Sequence, residues 1–163
     1  MTARRAALAV LLLLGAAAAP LPPERTAMHH ATGMFDVQIT PEAQGAAPDQ
    51  GLPTSRLGIA KSFSGGMTGT ATGTMLAAGT PQPGQVAGYV AIDQFTGSVD
   101  GHAGGFLLLH RGTMTRAGAG ELSVIIAPDS GTGGLAGITG SLSIDIRDGK
   151  HFYDLAYTLP AHG

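Results

Sequence analysis

Asp93 and His110 stand seventeen residues apart in the run AIDQFTGSVDGHAGGFLLLHRG, residues 91–112. A carboxylate and an imidazole are the side chains best suited to moving protons near neutral pH. Between them lies Gly101-His102, and Gly at the first central position fits a type II′ hairpin turn. With those two residues at the tip, Val99 opposes Gly104, Gly97 opposes Phe106, Phe95 opposes Leu108, Asp93 opposes His110, Ala91 opposes Gly112 and Tyr89 opposes Met114. Residues two apart on a strand share a face, so this whole set lies on one side of the hairpin. Large side chains alternate with small ones across that face, which is how a tapered interior is filled, and the Asp93–His110 pair is therefore placed inside. There it has two uses. One is general acid–base assistance to a bound molecule, with Asp93 and His110 as the catalytic pair. The other is structural, with two buried polar groups satisfying each other. Burial disfavours both ions while pairing favours both. No third group is recognisable as a nucleophile, so a triad is not supported.

A second hairpin extends the same face. Asp148-Gly149 is a strong type I′ signal, and it sets Ile146 opposite His151, Ile144 opposite Tyr153, Leu142 opposite Leu155 and Gly140 opposite Tyr157. Ser141, Ser143, Asp145 and Asp154 fall on the other, solvated face. The two hairpins together predict an interior lined by Tyr89, Phe95, Phe106, Leu108, Met114, His151, Tyr153 and Tyr157. An apolar interior with a few titratable groups is the description of a small-molecule pocket. Other motifs carry less. Gly131 to Ala136 fits the Gly-x-Gly-x-x-Ala dinucleotide pattern, but the following SLSIDI is strand, with no helix N-terminus to hold a pyrophosphate. No Gly-x-Ser-x-Gly elbow, His-Glu-x-x-His pair or Cys is present. His29-His30 are adjacent on a terminal segment, and His102 sits in a turn. No metal and no cofactor is expected.

The elements that must position these residues are short strands. Segments at Thr32–Thr40, Arg56–Phe63, Met67–Ala77, Val86–Val99, Ala103–Thr115, Glu121–Ala127, Gly140–Arg147 and Lys150–Leu159 read as eight strands separated by turn signals. No window beyond the first residues sustains a helical period. Gly65-Gly66 reads as a further, weaker hairpin tip, and Pro41–Thr54 as one long connection without strand character. Eight antiparallel strands joined by hairpins make an up-and-down barrel or a sandwich. The 26 glycines favour a single barrel of lipocalin-like form, because strongly coiled sheets need Gly at bends and close approaches.

Composition bounds the rest. The chain has 163 residues, 44% of them hydrophobic and only 12% charged, which makes one domain and excludes a disordered chain. MTARRAALAVLLLLGAAA, residues 1–18, has a basic start, an apolar run and a small-residue cleavage site, the layout of a secretory signal peptide. Residues 19–30 follow as a Pro-rich linker and residues 31–160 as the β-barrel domain. The expected location is therefore outside the cytoplasm, in the periplasm or the medium, with no membrane association once the leader is removed. Loss of Arg4 and Arg5 changes 9 basic against 11 acidic residues to 7 against 11. That balance, with no basic cluster, excludes nucleic acid as a partner.

The runs GYVAID (88–93), GGFLLLHRGTM (104–114), PDSGTGGLAGITG (128–140) and DGKHFYDLAYTL (148–159) resemble a bacterial group of uncharacterised proteins, domain-of-unknown-function family 3224. The likeness spans roughly Ala31 to Leu159. It implies a barrel similar to that of plant allene oxide cyclase, and it selects the barrel over the sandwich. Asp93 stands where the family usually reads Glu and Leu109 where it usually reads Gln, while His110 matches. Three functions follow as expectations. The first is a barrel that binds a small, mostly apolar molecule in its interior. The second is a cofactor-independent isomerase or cyclase using Asp93 and His110 as an acid–base pair. The third is a filled barrel that acts through its surface or an oligomer interface, a homo-oligomer being a further expected partnership.

Overall fold

The structure, a computed structural model, describes residues 27–160. The leader with Arg4 and Arg5, and the first part of the linker, lie outside the described residues. All regular structure within them is β: β1 (His29–Gly45), β2 (Thr54–Gly65), β3 (Met67–Gly79), β4 (Ala87–Val99), β5 (His102–Thr115), β6 (Gly118–Ile126), β7 (Thr132–Gly133), β8 (Thr139–Arg147) and β9 (Lys150–Thr158). Long strands that follow one another in the chain pair antiparallel, β8 pairs with β6, and β9 returns to β1. The eight long strands thus close into an up-and-down barrel, and β7 is a two-residue addition against the start of β5. Closure removes the open strand edges that would otherwise template aggregation. The narrowest seam is β6–β8, where Ile125–Ser141 is the single registered pair.

Strand alternation sorts the side chains. On β4, Ala91, Asp93, Phe95 and Val99 are buried while Val90, Ile92, Gln94 and Thr96 face outward. The Asp148-Gly149 hairpin has the expected register, with both residues at positive φ (51° and 74°), as a type I′ turn requires. The β4–β5 tip differs from expectation. Its central residues are Asp100-Gly101, at φ 46° and 87°, rather than Gly101-His102. Asp tolerates the left-handed region and Asp-Gly makes the I′ pair. Pairing consequently slides by two residues: Val99 faces His102, Gly97 faces Gly104, Phe95 faces Phe106, Ala91 faces His110 and Tyr89 faces Gly112. A slide of two preserves the face of every side chain, so the predicted inner set stays inside.

Two further local expectations give way. Gly65-Gly66 is not a two-residue hairpin tip, because the last pair between β2 and β3 is Phe63–Gly69. Beyond it the strands part: Ser64 and Gly65 stay paired to β1, and Met67 and Thr68 to β4. The connection expected from Pro41 to Thr54 is shorter, since β1 continues to Gly45 through a bulge at Pro41/Ala43. A bulge lets a strand carry Pro without breaking the ladder beyond it.

The middle of the barrel is packed with rings. Phe35, Phe63, Phe95 and Phe106 stack in sequence at centroid distances of 5.2, 5.6 and 4.9 Å, and Tyr153 meets Phe63 at 5.6 Å. Offset and edge contacts of this kind contribute beyond area burial. The Tyr153 hydroxyl accepts from the Met67 amide (2.7 Å) and donates to the Ser64 carbonyl (3.0 Å), tying down the parted ends of β2 and β3. The segment between β6 and β8 tucks Leu135 and Ile138, both fully buried, into the same core.

Candidate functional site

Three strands deliver polar side chains to one point of the apolar interior. β2 runs Leu57, Ile59, Lys61, Phe63 along its inner face, and Lys61 is buried there between Val37 of β1 and Ala71 of β3. β4 brings Asp93, fully buried, and β5 brings His110, 7% exposed. β3 lies between Lys61 and Asp93, and its inner residues at this level are small. Ala71 faces Lys61 and Gly73 faces Asp93. A Cβ at Gly73 would stand 2.6 Å from Asp93 Oδ1, so only Gly leaves the carboxylate its place. Over this low floor the long lysine side chain reaches across β3.

Lys61 Nζ donates to Asp93 Oδ2, and His110 Nε2, when it carries a proton, donates to the same oxygen at 3.1 Å. The amine and the imidazole nitrogen are 3.4 Å apart, and the ammonium sits 5.5 Å from the centre of the Phe35 ring. His110 lies opposite Ala91, so it reaches Asp93 diagonally rather than as the direct cross-strand partner expected from sequence. Burial pushes the Asp93 carboxyl up; the His110 hydrogen bond, then the charge and bond of Lys61, reverse this and hold it below the usual carboxylate range. Among the described residues, Asp93 Oδ1 has no hydrogen-bond partner. Buried carboxylate oxygens are nearly always satisfied, so this one marks a place for a donor.

Sequence reasoning overlooked Lys61. The signal that could have found it is a lysine at the third of four inward positions, Leu57-x-Ile59-x-Lys61-x-Phe63, on a strand of otherwise clean alternation. The other predicted lining residues divide. Phe95, Phe106, Leu108, Tyr153 and Tyr157 are at most 4% exposed and belong to the packed core. Tyr157 donates to Asp100 Oδ2 at 2.8 Å; burial first, then that bond and the Asp100 charge, push its phenol up to about 12. His151 packs on Phe35 at 5.0 Å, and Met114 is half-buried near the end of β5. Outside, His30 Nδ1 meets Asp154 Oδ1 at 2.9 Å on the surface, and His102 is exposed. No group of three or more metal-ligating side chains occurs among the described residues.

Tyr89 connects the interior to a cleft. A space of about 770 Å³ opens at the barrel rim over β1–β5, lined by Leu76, Ala77, Gly88, Tyr89, Val90 and Gly112, with Arg56 and Arg111 at its edges. The Tyr89 ring lies over Gly112, where any side chain would collide with it. Two inward positions further along β4 is Asp93, and burial, then the Asp93 charge, raise the Tyr89 phenol above its ordinary value. A second space of about 440 Å³ lies between β5 and the segment carrying Ser130 and Thr132. The packed aromatic core lines the rim cleft nowhere, so the larger space is displaced from the interior position expected from sequence.

The chain is similar to the crystal structure of a protein with unknown function from the DUF3224 family, from Shewanella oneidensis MR-1. It shares 38% identity, covers 83% of this chain and 100% of that chain, and superposes with a TM-score of 0.74. No curated protein matches. The family model "Protein of unknown function (DUF3224)" matches residues 31–157, a span that contains Lys61, Asp93 and His110 and all of the eight barrel strands but the first two residues of β1 and the last of β9. This chain belongs to the DUF3224 family.

Proposed function

We propose that the protein binds a small, mostly apolar molecule in the rim cleft. The observation that carries this reading is the cleft itself, about 770 Å³ of space walled by Leu76, Ala77, Tyr89 and Val90. That volume falls within the usual range for small-molecule sites, and an apolar wall with polar groups at its edges is their usual chemistry. Arg56 and Arg111 at the edge are held by Glu42 (2.9 Å) and Glu121 (3.3 Å), which leaves the floor apolar. Gly88 provides the test. A Cβ there meets nothing closer than the Gly112 carbonyl at 3.8 Å, so Gly88→Leu places its side chain at the cleft wall without strain at its point of attachment. An environment-sensitive apolar dye should bind the natural protein and lose affinity in Gly88→Leu at unchanged melting temperature. Equal binding by both proteins would remove the cleft as the site.

A second reading, a cofactor-independent isomerase or cyclase, draws support from the contact between Asp93 and His110 and from the free Asp93 Oδ1. Positioned groups beside a confined substrate are enough for such chemistry. Under it, Asp93→Asn and His110→Gln abolish turnover while dye affinity in the cleft is kept. Export is part of the same proposal and rests on the leader sequence of residues 1–18. N-terminal sequencing of the protein recovered outside the cytoplasm should begin at Ala19, and an intact Met1 would contradict it.

A further inference from the structure

We propose that Lys61 captures apolar aldehydes or ketones as a protonated Schiff base, with Asp93 as its counterion. The inference rests on the binding of a small apolar guest and names the reactive group that guest would carry.

The argument starts from charge. A buried ammonium is costly unless paired, and Lys61 is paired to a carboxylate that Gly73 and Ala71 allow it to reach. Schiff-base formation converts Lys–NH3+ and O=CR2 into Lys–NH+=CR2 and water. The cation is conserved, so the pairing that holds the ammonium serves the iminium equally well, and Phe35 still faces the positive charge. A buried amine surrounded by apolar residues is also the usual setting of carbonyl-capturing lysines.

The proton movements have carriers in place. The ammonium must first lose a proton, and His110 Nε2, 3.4 Å from Nζ, takes it in the tautomer that leaves this nitrogen bare. The imidazolium so formed donates its new Nε2–H to Asp93, which remains an ion throughout, in keeping with its lowered titration. The free amine then adds to the carbonyl carbon, and the amine proton moves to the alkoxide to give the neutral carbinolamine. His110 returns its proton to the carbinolamine hydroxyl, the C–O bond breaks, water leaves and the C=N bond forms. Asp93 Oδ1, buried and without a partner among the described residues, is the acceptor available to that hydroxyl and to the departing water.

The chain contains only two lysines, Lys61 and Lys150, and Lys150 is exposed in the β8–β9 hairpin. That makes the test internal. The full chain is incubated with nonanal, reduced with sodium cyanoborohydride and mapped by peptide mass spectrometry. Lys61 should acquire the alkyl group about tenfold faster than Lys150, because Asp93 and Phe35 hold its iminium product while that of Lys150 has only solvent around it. Asp93→Asn and His110→Gln should slow labelling at Lys61 alone, and Lys150→Arg should leave it unchanged. Labelling of Lys150 with none at Lys61, while the dye still binds the cleft, overturns the Schiff-base assignment and keeps the binding reading. Labelling of Lys61 with normal rates in Gly88→Leu supports capture and instead removes the rim cleft as the guest's position. Because the comparison between the two lysines is made in the natural protein, the outcome does not depend on any variant folding.

Discussion

At the scale of single residues, the interior cluster is held by one oxygen. Lys61 and His110 both bond Asp93 Oδ2, so removing the carboxylate strands a buried ammonium. Asp93→Asn should cost about 3–5 kcal/mol in urea unfolding, the usual loss when one partner of a buried pair is removed. Lys61→Met should cost a similar amount, and the double variant less than the sum of the two, since each single change already breaks the same pair. The same carboxyl sets a pH dependence. Its folded-state value is depressed, so its stabilising contribution is complete above the unfolded value of about 3.9 and is lost as pH falls through the folded value. The stability gap between the natural protein and Asp93→Asn should therefore be constant near neutrality and shrink on acidification below about pH 4. Equilibrium unfolding at stepped pH checks this. Asp93 and His110 were legible as neighbours because both have inward parity. Lys61 was not, because its partners sit two and three strands away.

At the scale of elements, β3 decides whether the cluster can exist. Its inner row places Ala71 and Gly73 where larger residues would lift Lys61 away from Asp93. Gly73→Ala puts a Cβ 2.6 Å from Asp93 Oδ1 and tight against the β4 backbone, which cannot retreat. A loss of about 1–3 kcal/mol is expected from overpacking, together with slower Lys61 labelling. Gly101→Ala is the contrasting case. Nothing lies within 4 Å of its new methyl, but the backbone there has φ 87°, so about 1–2 kcal/mol of strain is expected with labelling unchanged. Thermal melts of the two variants, read beside their labelling rates, separate packing at the cluster from strain at a turn. Turn chemistry was legible wherever an Asp-Gly pair was correctly located. At β4–β5 it was misplaced by one residue, because Gly-His also fits a two-residue tip, and the pairing moved by two as a result.

At the scale of the whole molecule, closure is uneven. β1 to β5 pair along most of their lengths, whereas β6 meets β8 at one registered pair. Local opening should begin at that seam, so amides of β6 and β8 that face it should exchange with solvent faster than those between β2 and β3. Hydrogen exchange followed by mass spectrometry reads this directly, and equal protection around the barrel would contradict it. The period-two pattern and the turn residues were sufficient to determine an all-β chain of hairpins and the inner faces of the β4–β5 and β8–β9 hairpins, because these depend on neighbours along the chain or across one turn, while the resemblance of four sequence runs selected the barrel and the family. Only the tertiary structure decided that Lys61 joins Asp93 and His110, that the aromatic residues fill the middle and that the larger cleft lies at the rim. Those contacts cross strands that are not adjacent, and they depend on how far a closed, coiled sheet brings opposite walls together, a distance no local pattern encodes.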